Sequence, residues 1–187
     1  MRIRTIRLER LTGELKNAII LQNLTPRELK RFAKICEPRD YDSGERLVEQ
    51  DALGSDLHIL IEGAVDISVR GKGGDDVSVS EVGKGDVFGE ASIFMNLPRT
   101  ASAVARTPCL VVAVSRDRLF GYCERNPRAG LKIFGFVIYS LLRRLGSSGR
   151  ELVAQRESVV TSADLEELGA CFPKSLEDML GPGGWRG

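Results

Sequence analysis

Histidine is the scarcest chemically active residue of this chain, which contains one histidine among 187 amino acids. Zinc sites built on several histidines, iron sites with two, and most two-histidine enzyme schemes need more imidazoles than that. The usual form of a metal-binding β-barrel enzyme needs them as well. We therefore expect a protein that holds no metal and that belongs to none of these enzyme classes.

Paired cysteines and long hydrophobic runs are also missing. The four cysteines form no C-x-x-C pair, and we expect free thiols. The longest nearly apolar stretch, Phe134 to Leu142, is shorter than the roughly 20 residues that cross a bilayer. Arginine interleaves with isoleucine and leucine from Met1 onward, unlike a signal peptide. We expect a cytoplasmic protein that makes no membrane contact.

The chain lacks an excess of charge of either sign, with 27 Lys+Arg and 26 Asp+Glu. Such a balance gives no sign of a protein that coats nucleic acid through its overall field. Locally the charges separate: residues 116–157 contain nine basic and four acidic residues, and residues 158–187 contain two and five. The basic arm is explained most simply as a solvated helical face.

Helices are predicted at both ends of the chain. The first region runs to about Pro38 and contains Thr25-Pro26-Arg27-Glu28, a capping box with proline at the first helical position. The third region begins near Arg116, and Pro127 ends one helix and begins another. Apolar residues then recur in steps of four, three and four, at Phe134, Ile138, Leu141 and Leu145. This spacing favours a coiled-coil seam, and a homodimer through residues 134–145 and packing on the β core are both open.

The central region, Tyr41 to Ser115, has the rhythm of short strands and turns. Val65, Ile67 and Val69 alternate with polar residues, and the pattern resumes at Val77 after a Gly-rich turn. No helical segment separates the strands, so a parallel α/β sheet is disfavoured. The fold class predicted is mainly β with helices (α+β), as a barrel or sandwich.

The most informative stretch extends from Gly83 to Ser102. Small residues next to Glu90 let backbone N–H groups approach a ligand oxygen closely. Arg99 offers a bidentate fork for a phosphate. Glu90, itself an anion, suits a sugar hydroxyl, as the acidic residue of dinucleotide folds does. A phosphate together with a ribose hydroxyl indicates a nucleotide.

The segment F-G-E-A-S-I-F-M-N-L-P-R-T-A-S, Phe88 to Ser102, resembles the phosphate-binding cassette of the cyclic nucleotide-binding domain family. That family includes the catabolite activator protein and the regulatory subunits of cyclic AMP-dependent protein kinase. The resemblance extends from about Leu24 to Leu145 and includes Gly44, Gly63 and Gly85-Asp86. It implies an antiparallel double-stranded β-helix (jelly-roll) barrel, flanked by N-terminal helices and a long C-terminal helix.

The resemblance also implies a domain organisation. We expect an N-terminal extension over residues 1–23, a cyclic nucleotide-binding domain over residues 24–157, and an acidic, partly disordered tail over residues 158–187.

Residue by residue, the resemblance implies a binding site. Glu90 accepts a hydrogen bond from the ribose 2′-hydroxyl, and Arg99 pairs with the cyclic phosphate. The remaining members of the site are backbone donors to the phosphate, at Gly89, Ala91, Ser92 and Thr100, and apolar residues around the base, Val79 and Val82. Thr100 matches a threonine associated with guanine recognition in the cyclic GMP-dependent kinases. Cyclic GMP is therefore open, and family frequency slightly favours cyclic AMP.

The chain departs from the family pattern in one turn. Gln50-Asp51-Ala52 stands where the family often has Gln-Gly-Asp, so a glycine suited to positive φ is missing and a different turn is expected. The residue that covers the base is not assignable by motif, although Ser147 and Ser148 are candidates. His58 lies in an apolar strand run and is expected to be structural.

Three functions compete at this point. The first is a cyclic nucleotide sensor that acts on an unknown effector protein in trans, and its alternative is a degenerate fold that binds no nucleotide and serves as a dimeric interaction protein. The second is a transcription regulator, which needs a basic recognition helix after the long helix. The 30 residues after Glu157 are acidic, so no direct DNA binding is expected. The third, a metal enzyme of barrel fold, lacks its histidines.

Overall fold

The structure is a computed structural model that describes residues 2–71, 75–94 and 98–152. The chain divides into two compact units, residues 1–122 and 123–187. The strands that the structure describes lie in the first unit: β1 (Arg2–Ile3), β2 (Glu37–Tyr41), β3 (Arg46–Val48), β4 (Asp56–Glu62), β5 (Val65–Arg70), β6 (Asp76–Val82), β7 (Val87–Phe88), β8 (Ser102–Ala105) and β9 (Cys109–Ser115). The helices of this unit are α1 (Leu8–Leu15), a 3-10 helix (Ile19–Leu21), α2 (Pro26–Ala33) and α3 (Ala91–Phe94), and α4 (Arg116–Arg125) crosses the boundary between the units.

Two antiparallel sheets form the framework of the first unit. One has five strands in the order β1-β2-β9-β4-β7, and the other has four in the order β3-β8-β5-β6. The predicted combination of antiparallel sheets and helices is therefore confirmed. Within the described residues the strand pairing does not join the sheets into a closed barrel, and the jelly-roll arrangement stays a prediction.

A buried apolar cluster draws on strands of both sheets. It contains Leu60 and Val111 of the larger sheet with Val65, Val82 and Ala103 of the smaller one. Phe88, at the end of β7, also belongs to this cluster. Burial of such side chains supplies roughly 25 cal/mol per Å² of apolar surface. The cluster thus fixes the strand from which the cassette begins.

The N-terminal helices confirm one sequence prediction and correct another. The Thr25 hydroxyl accepts a hydrogen bond from the Glu28 N–H (3.3 Å), and the Thr25 N–H donates to the Glu28 carboxylate (2.7 Å), which is the predicted capping box. The expectation of a helical region from Met1 to about Pro38 is wrong at both ends, because Arg2–Ile3 form β1 and β2 begins at Glu37. This charged strand forms because β9 pairs with it along its whole length.

The hairpin of β5 and β6 follows the predicted pattern, with the turn N–H of Gly71 donating to Asp75 O (2.8 Å). Its register shifts between Ile67, which faces Ser80, and Ser68, which faces Ser78. Val79 is therefore the extra residue of a β-bulge.

The second unit contains α5 (Pro127–Leu152), which begins at the predicted proline and continues through the Ser147-Ser148 segment. Gly130 permits close packing within this unit, since a Cβ there would lie 2.8 Å from Cys123 Cβ. No helix among the described residues has the length and apolarity needed to cross a membrane. The predicted tail, residues 158–187, lies outside the described residues, and the boundaries at 23 and 157 stay predictions.

Candidate functional site

The cassette connects β7 to β8 and contains the one-turn helix α3. Gly89 follows β7 directly, with φ of 78°, and lets the chain turn from the strand into α3. A positive φ is readily adopted by glycine and is costly for residues with a Cβ. Met95, Asn96 and Leu97 lie outside the described residues, and the chain is described again from Pro98 to β8.

Gly89 is also required by space. A Cβ on this residue would lie 2.7 Å from Arg99 Nη1, 3.0 Å from Asp56 O and 3.3 Å from His58 Nδ1. The first of these distances is shorter than real Cβ contacts, so a side chain at this position would displace the end of Arg99. The missing Cβ thus lets the arginine, a strand carbonyl and an imidazole approach the same point of the backbone.

Arg99 is buried by its surroundings although it carries a charge. Its side chain is 6% exposed, and its Nη2 donates to Asp56 O (3.0 Å) and its Nη1 to Gly89 O (3.4 Å). Among the described residues Arg99 makes no ion pair. The Asp56 carboxylate instead accepts a hydrogen bond from Arg39 Nη1 (3.1 Å). Arg99 is therefore held by carbonyl dipoles, and burial lowers the pKa of its guanidinium, against the opposing effect of Asp56.

The backbone of Arg99 is fixed by the loop between β3 and β4. Its N–H donates to Ala52 O (2.9 Å), and the N–H of Asp51 donates to Arg99 O (2.8 Å). Asp51 adopts φ of 65°, a left-handed conformation that aspartate tolerates better than most residues do. The expected difference from the turn of the family stays a prediction. In the same loop, a Cβ on Gly54 would lie 3.2 Å from Arg99 Nε.

The other cassette residues that were predicted to contact the ligand lie in the same segment and differ in their exposure. Glu90 and Ser92 are buried, Ala91 is half-buried, and Thr100 is exposed. α3 is anchored by Ile93, which is 1% exposed. The structure therefore brings Gly89 and Arg99 into contact and places Glu90 directly after Gly89 in the chain. The roles predicted for these residues toward a ligand stay predictions.

The two valines predicted around the base differ in their surroundings. Val82 is buried in the apolar cluster that joins the sheets. Val79 is 62% exposed on β6, the edge strand of the smaller sheet. All residues of β6 before Val82 are exposed, so only the end of the strand at Val82 reaches the cluster.

His58 is a site neighbour that the sequence did not reveal. It lies on β4, opposite Phe88 of β7, and the two rings stack at 4.9 Å between centroids and 12° between planes. Burial, together with the smaller effects of the nearby Arg99 and Arg39 charges, lowers the pKa of His58 to about 3. The imidazole is thus neutral at physiological pH.

Two other neighbours also escaped prediction, namely Gly54 and the carbonyl of Asp56. Both lie more than 40 residues before Arg99, so no local motif connects them to it. The segment from Asp56 to Gly63 resembles a part of the family pattern, but this resemblance does not indicate a contact with Arg99. Among the described residues no cluster of three or more His, Cys, Asp or Glu side chains is placed to hold a metal ion.

The chain is similar to known proteins in sequence and in fold. Residues 38–126 match the family model described as the cyclic nucleotide-binding domain. The CRP-like cAMP-activated global transcriptional regulator of Mycobacterium tuberculosis is 30% identical over 139 residues, which are 74% of this chain and 62% of that protein. The chain thus spans less than two thirds of the curated relative that it matches.

Two solved structures show the same fold. The catabolite activator protein of Thermus thermophilus has 27% identity and a TM-score of 0.65, and the alignment covers 72% of this chain and 62% of that one. The regulatory subunit of a cAMP-independent protein kinase A from Trypanosoma brucei has 28% identity and a TM-score of 0.61, with 75% and 47% covered. Residues 38–126 therefore match the cyclic nucleotide-binding domain, and CRP-like regulators are among the homologues of the chain.

Proposed function

We propose that this domain binds cyclic AMP or cyclic GMP in its cassette and acts as a non-enzymatic regulatory module on a partner protein in trans. The observation that carries the proposal is the buried guanidinium of Arg99, which two backbone carbonyls hold and which no described carboxylate neutralises. A buried charge is costly unless it is paired. An anionic ligand supplies the missing partner, and a cyclic phosphate has the required charge.

The other site residues follow from this ligand. Glu90 takes the ribose 2′-hydroxyl, and the backbone of Gly89, Ala91, Ser92 and Thr100 donates to the phosphate. Val79 and Val82 are proposed to contact the base. The M. tuberculosis relative is by its name cAMP-activated, which favours cyclic AMP. The T. brucei relative is by its name cAMP-independent, so similarity to this fold does not by itself imply a response to cyclic AMP.

The decisive experiment is calorimetric titration with both nucleotides, on the wild type and on Arg99→Ala. We expect Arg99→Ala to weaken binding by about 2 to 5 kcal/mol, the usual cost of removing one side of a buried charge pair. Arg106→Ala is the matched control, because Arg106 is exposed and pairs with Glu81 on the surface. Equal affinity in Arg99→Ala and the wild type would show that the nucleotide does not bind to the cassette through Arg99.

The output is proposed to pass through α5 and a second copy of the chain. Ala129, Ile133 and Val137 are buried, whereas Leu131 and Ile138 are exposed, so the helix has a separate apolar face for a partner. Of the predicted seam, Phe134 is half-buried and Ile138 is 57% exposed. We propose a protein effector as the partner of this apolar face, and we expect no direct DNA binding by residues 158–187, which carry a net charge of −3.

The second candidate function is a dimeric interaction protein that binds no nucleotide. The exposed apolar face of α5 favours it independently of the cassette. Sedimentation analysis combined with the titration separates the two functions. A dimer that shows no heat of binding with either nucleotide supports the second candidate, and saturable binding supports the first.

A further inference from the structure

The Nδ1 atom of His58 is the one buried side-chain nitrogen or oxygen without a hydrogen-bond partner in the part of the chain that the structure describes. The residue is 2% exposed, so bulk water does not satisfy this atom. Buried polar groups are nearly always paired, and an exception in a native protein calls for an explanation. An aromatic ring without nitrogens would fill the same space at lower cost.

The position of this atom indicates what it serves. Nδ1 lies 3.3 Å from the point that a Cβ of Gly89 would occupy, and Arg99 Nη1 lies 2.7 Å from the same point. The unsatisfied nitrogen and the unneutralised guanidinium therefore border one piece of the cassette backbone. The stacking on Phe88, the residue before Gly89, holds the imidazole in this orientation.

The charge state of the ring fits an anion site. A protonated imidazole next to Arg99 and Arg39 would add a third positive charge to a buried cluster, and the low pKa of His58 shows that this form is disfavoured. A neutral imidazole still has one N–H donor. In the tautomer with the proton on Nδ1, His58 adds a hydrogen-bond donor without repelling the arginine.

We propose that His58 is a ligand-binding residue whose Nδ1–H donates to the phosphate of the bound cyclic nucleotide, beside the guanidinium of Arg99. The inference rests on the proposed function and adds a specific residue to it. It also gives a reason for an otherwise unfavourable buried group. Functional sites often keep features that reduce stability, because the ligand satisfies them on binding.

The test compares affinity and stability in His58→Phe. Phenylalanine keeps the ring that stacks on Phe88 and removes Nδ1, so we expect a higher melting temperature of the free protein and about tenfold weaker binding of the nucleotide. His58→Asn, which restores a polar group near Nδ1, should recover most of the affinity even if it is less stable. A purely structural histidine would show no such opposition between stability and binding.

Tyr122→Phe is the matched control. It also removes one buried polar atom from a ring. The Tyr122 hydroxyl, however, has a partner, because it donates to Glu28 O (3.0 Å) and so connects α4 to α2, outside the cassette. We expect this variant to be less stable than the wild type and to bind the nucleotide with unchanged affinity.

A second measurement uses the fact that the chain has one histidine. With ¹⁵N-labelled histidine and no polyhistidine tag, the NMR spectrum has a single imidazole. We expect the chemical shift of Nδ1 to show that this nitrogen carries a proton. We also expect this shift to change when cyclic AMP or cyclic GMP is added to saturation. This readout does not depend on whether His58→Phe folds.

The outcomes separate the inference from the proposed function. A wild type that binds nucleotide, with unchanged affinity in His58→Phe and an unmoved Nδ1 resonance, overturns the role of His58 and indicates a permanently bound water as its partner. A wild type that binds neither nucleotide overturns the proposed function and the role of His58 with it. Weaker binding in His58→Phe, together with the moved resonance, supports both.

Discussion

At the scale of single residues, the site depends on groups that the surrounding backbone leaves incompletely satisfied. Arg99 has carbonyl partners in place of a carboxylate, and His58 has an unpaired nitrogen. The sequence predicted Arg99 because a local motif contains it. It did not predict His58 or Asp56 as neighbours, because the pairing of β4 with β7 brings them there.

Thr100 carries the prediction on ligand selectivity. Its side chain is exposed in the structure, so its hydroxyl is accessible to a ligand. If this hydroxyl contacts the guanine amine, Thr100→Ala should weaken cyclic GMP binding about fivefold, the effect of roughly one hydrogen bond, and cyclic AMP binding less. Titration of the variant with both nucleotides measures the ratio. Equal losses would leave Thr100 as a phosphate contact alone.

At the scale of elements, the sequence predicted those helices and strands whose formation depends on residues close together in the chain. The capping box of α2, the proline that begins α5 and the alternation in β5 are all present. β2 was missed because Glu37, Pro38 and Asp40 disfavour a strand by composition. Its existence depends on β9, which is 60 to 80 residues away and supplies the partner hydrogen bonds.

Helix α5 carries the prediction on assembly. Ile138 lies on the predicted seam, and Tyr139 lies about 100° away from it around the helix. The two residues are equally exposed, at 57% and 56%, and so form a matched pair for substitution. Ile138→Glu should therefore shift a dimer toward monomer, because a charge is costly inside an apolar interface. Tyr139→Glu introduces the same charge outside the seam. Sedimentation velocity that gives the same dimer fraction in both variants would argue against this seam.

At the scale of the whole molecule, the single histidine makes part of the acid sensitivity traceable to one group. Its pKa in the folded protein is about 3, below the ordinary value of 6.5. Between these values the unfolded chain binds a proton that the folded chain does not, so stability falls as the pH decreases. The slope is about 1.4 kcal/mol per pH unit once the pH lies well below 6.5.

This dependence is measurable by urea denaturation between pH 6.5 and 5, above the range in which carboxylates titrate. We expect the wild type to lose stability across this range and His58→Phe to lose much less. If the free energy of unfolding depended on pH in the same way in both proteins, the pKa of His58 would not be lowered in the folded state. The free energy of unfolding is the quantity to compare.

The bulge at Val79 has a consequence for solubility. β6 is the outer strand of its sheet, and its valines at positions 77 and 79 are exposed, which are the properties of a strand that recruits strands from other molecules. The extra residue interrupts the row of backbone donors and acceptors, and Asp76 and Glu81 place charge near both ends of the strand. The edge is therefore a poor template for fibril growth, and deleting Val79 would convert it into a better one.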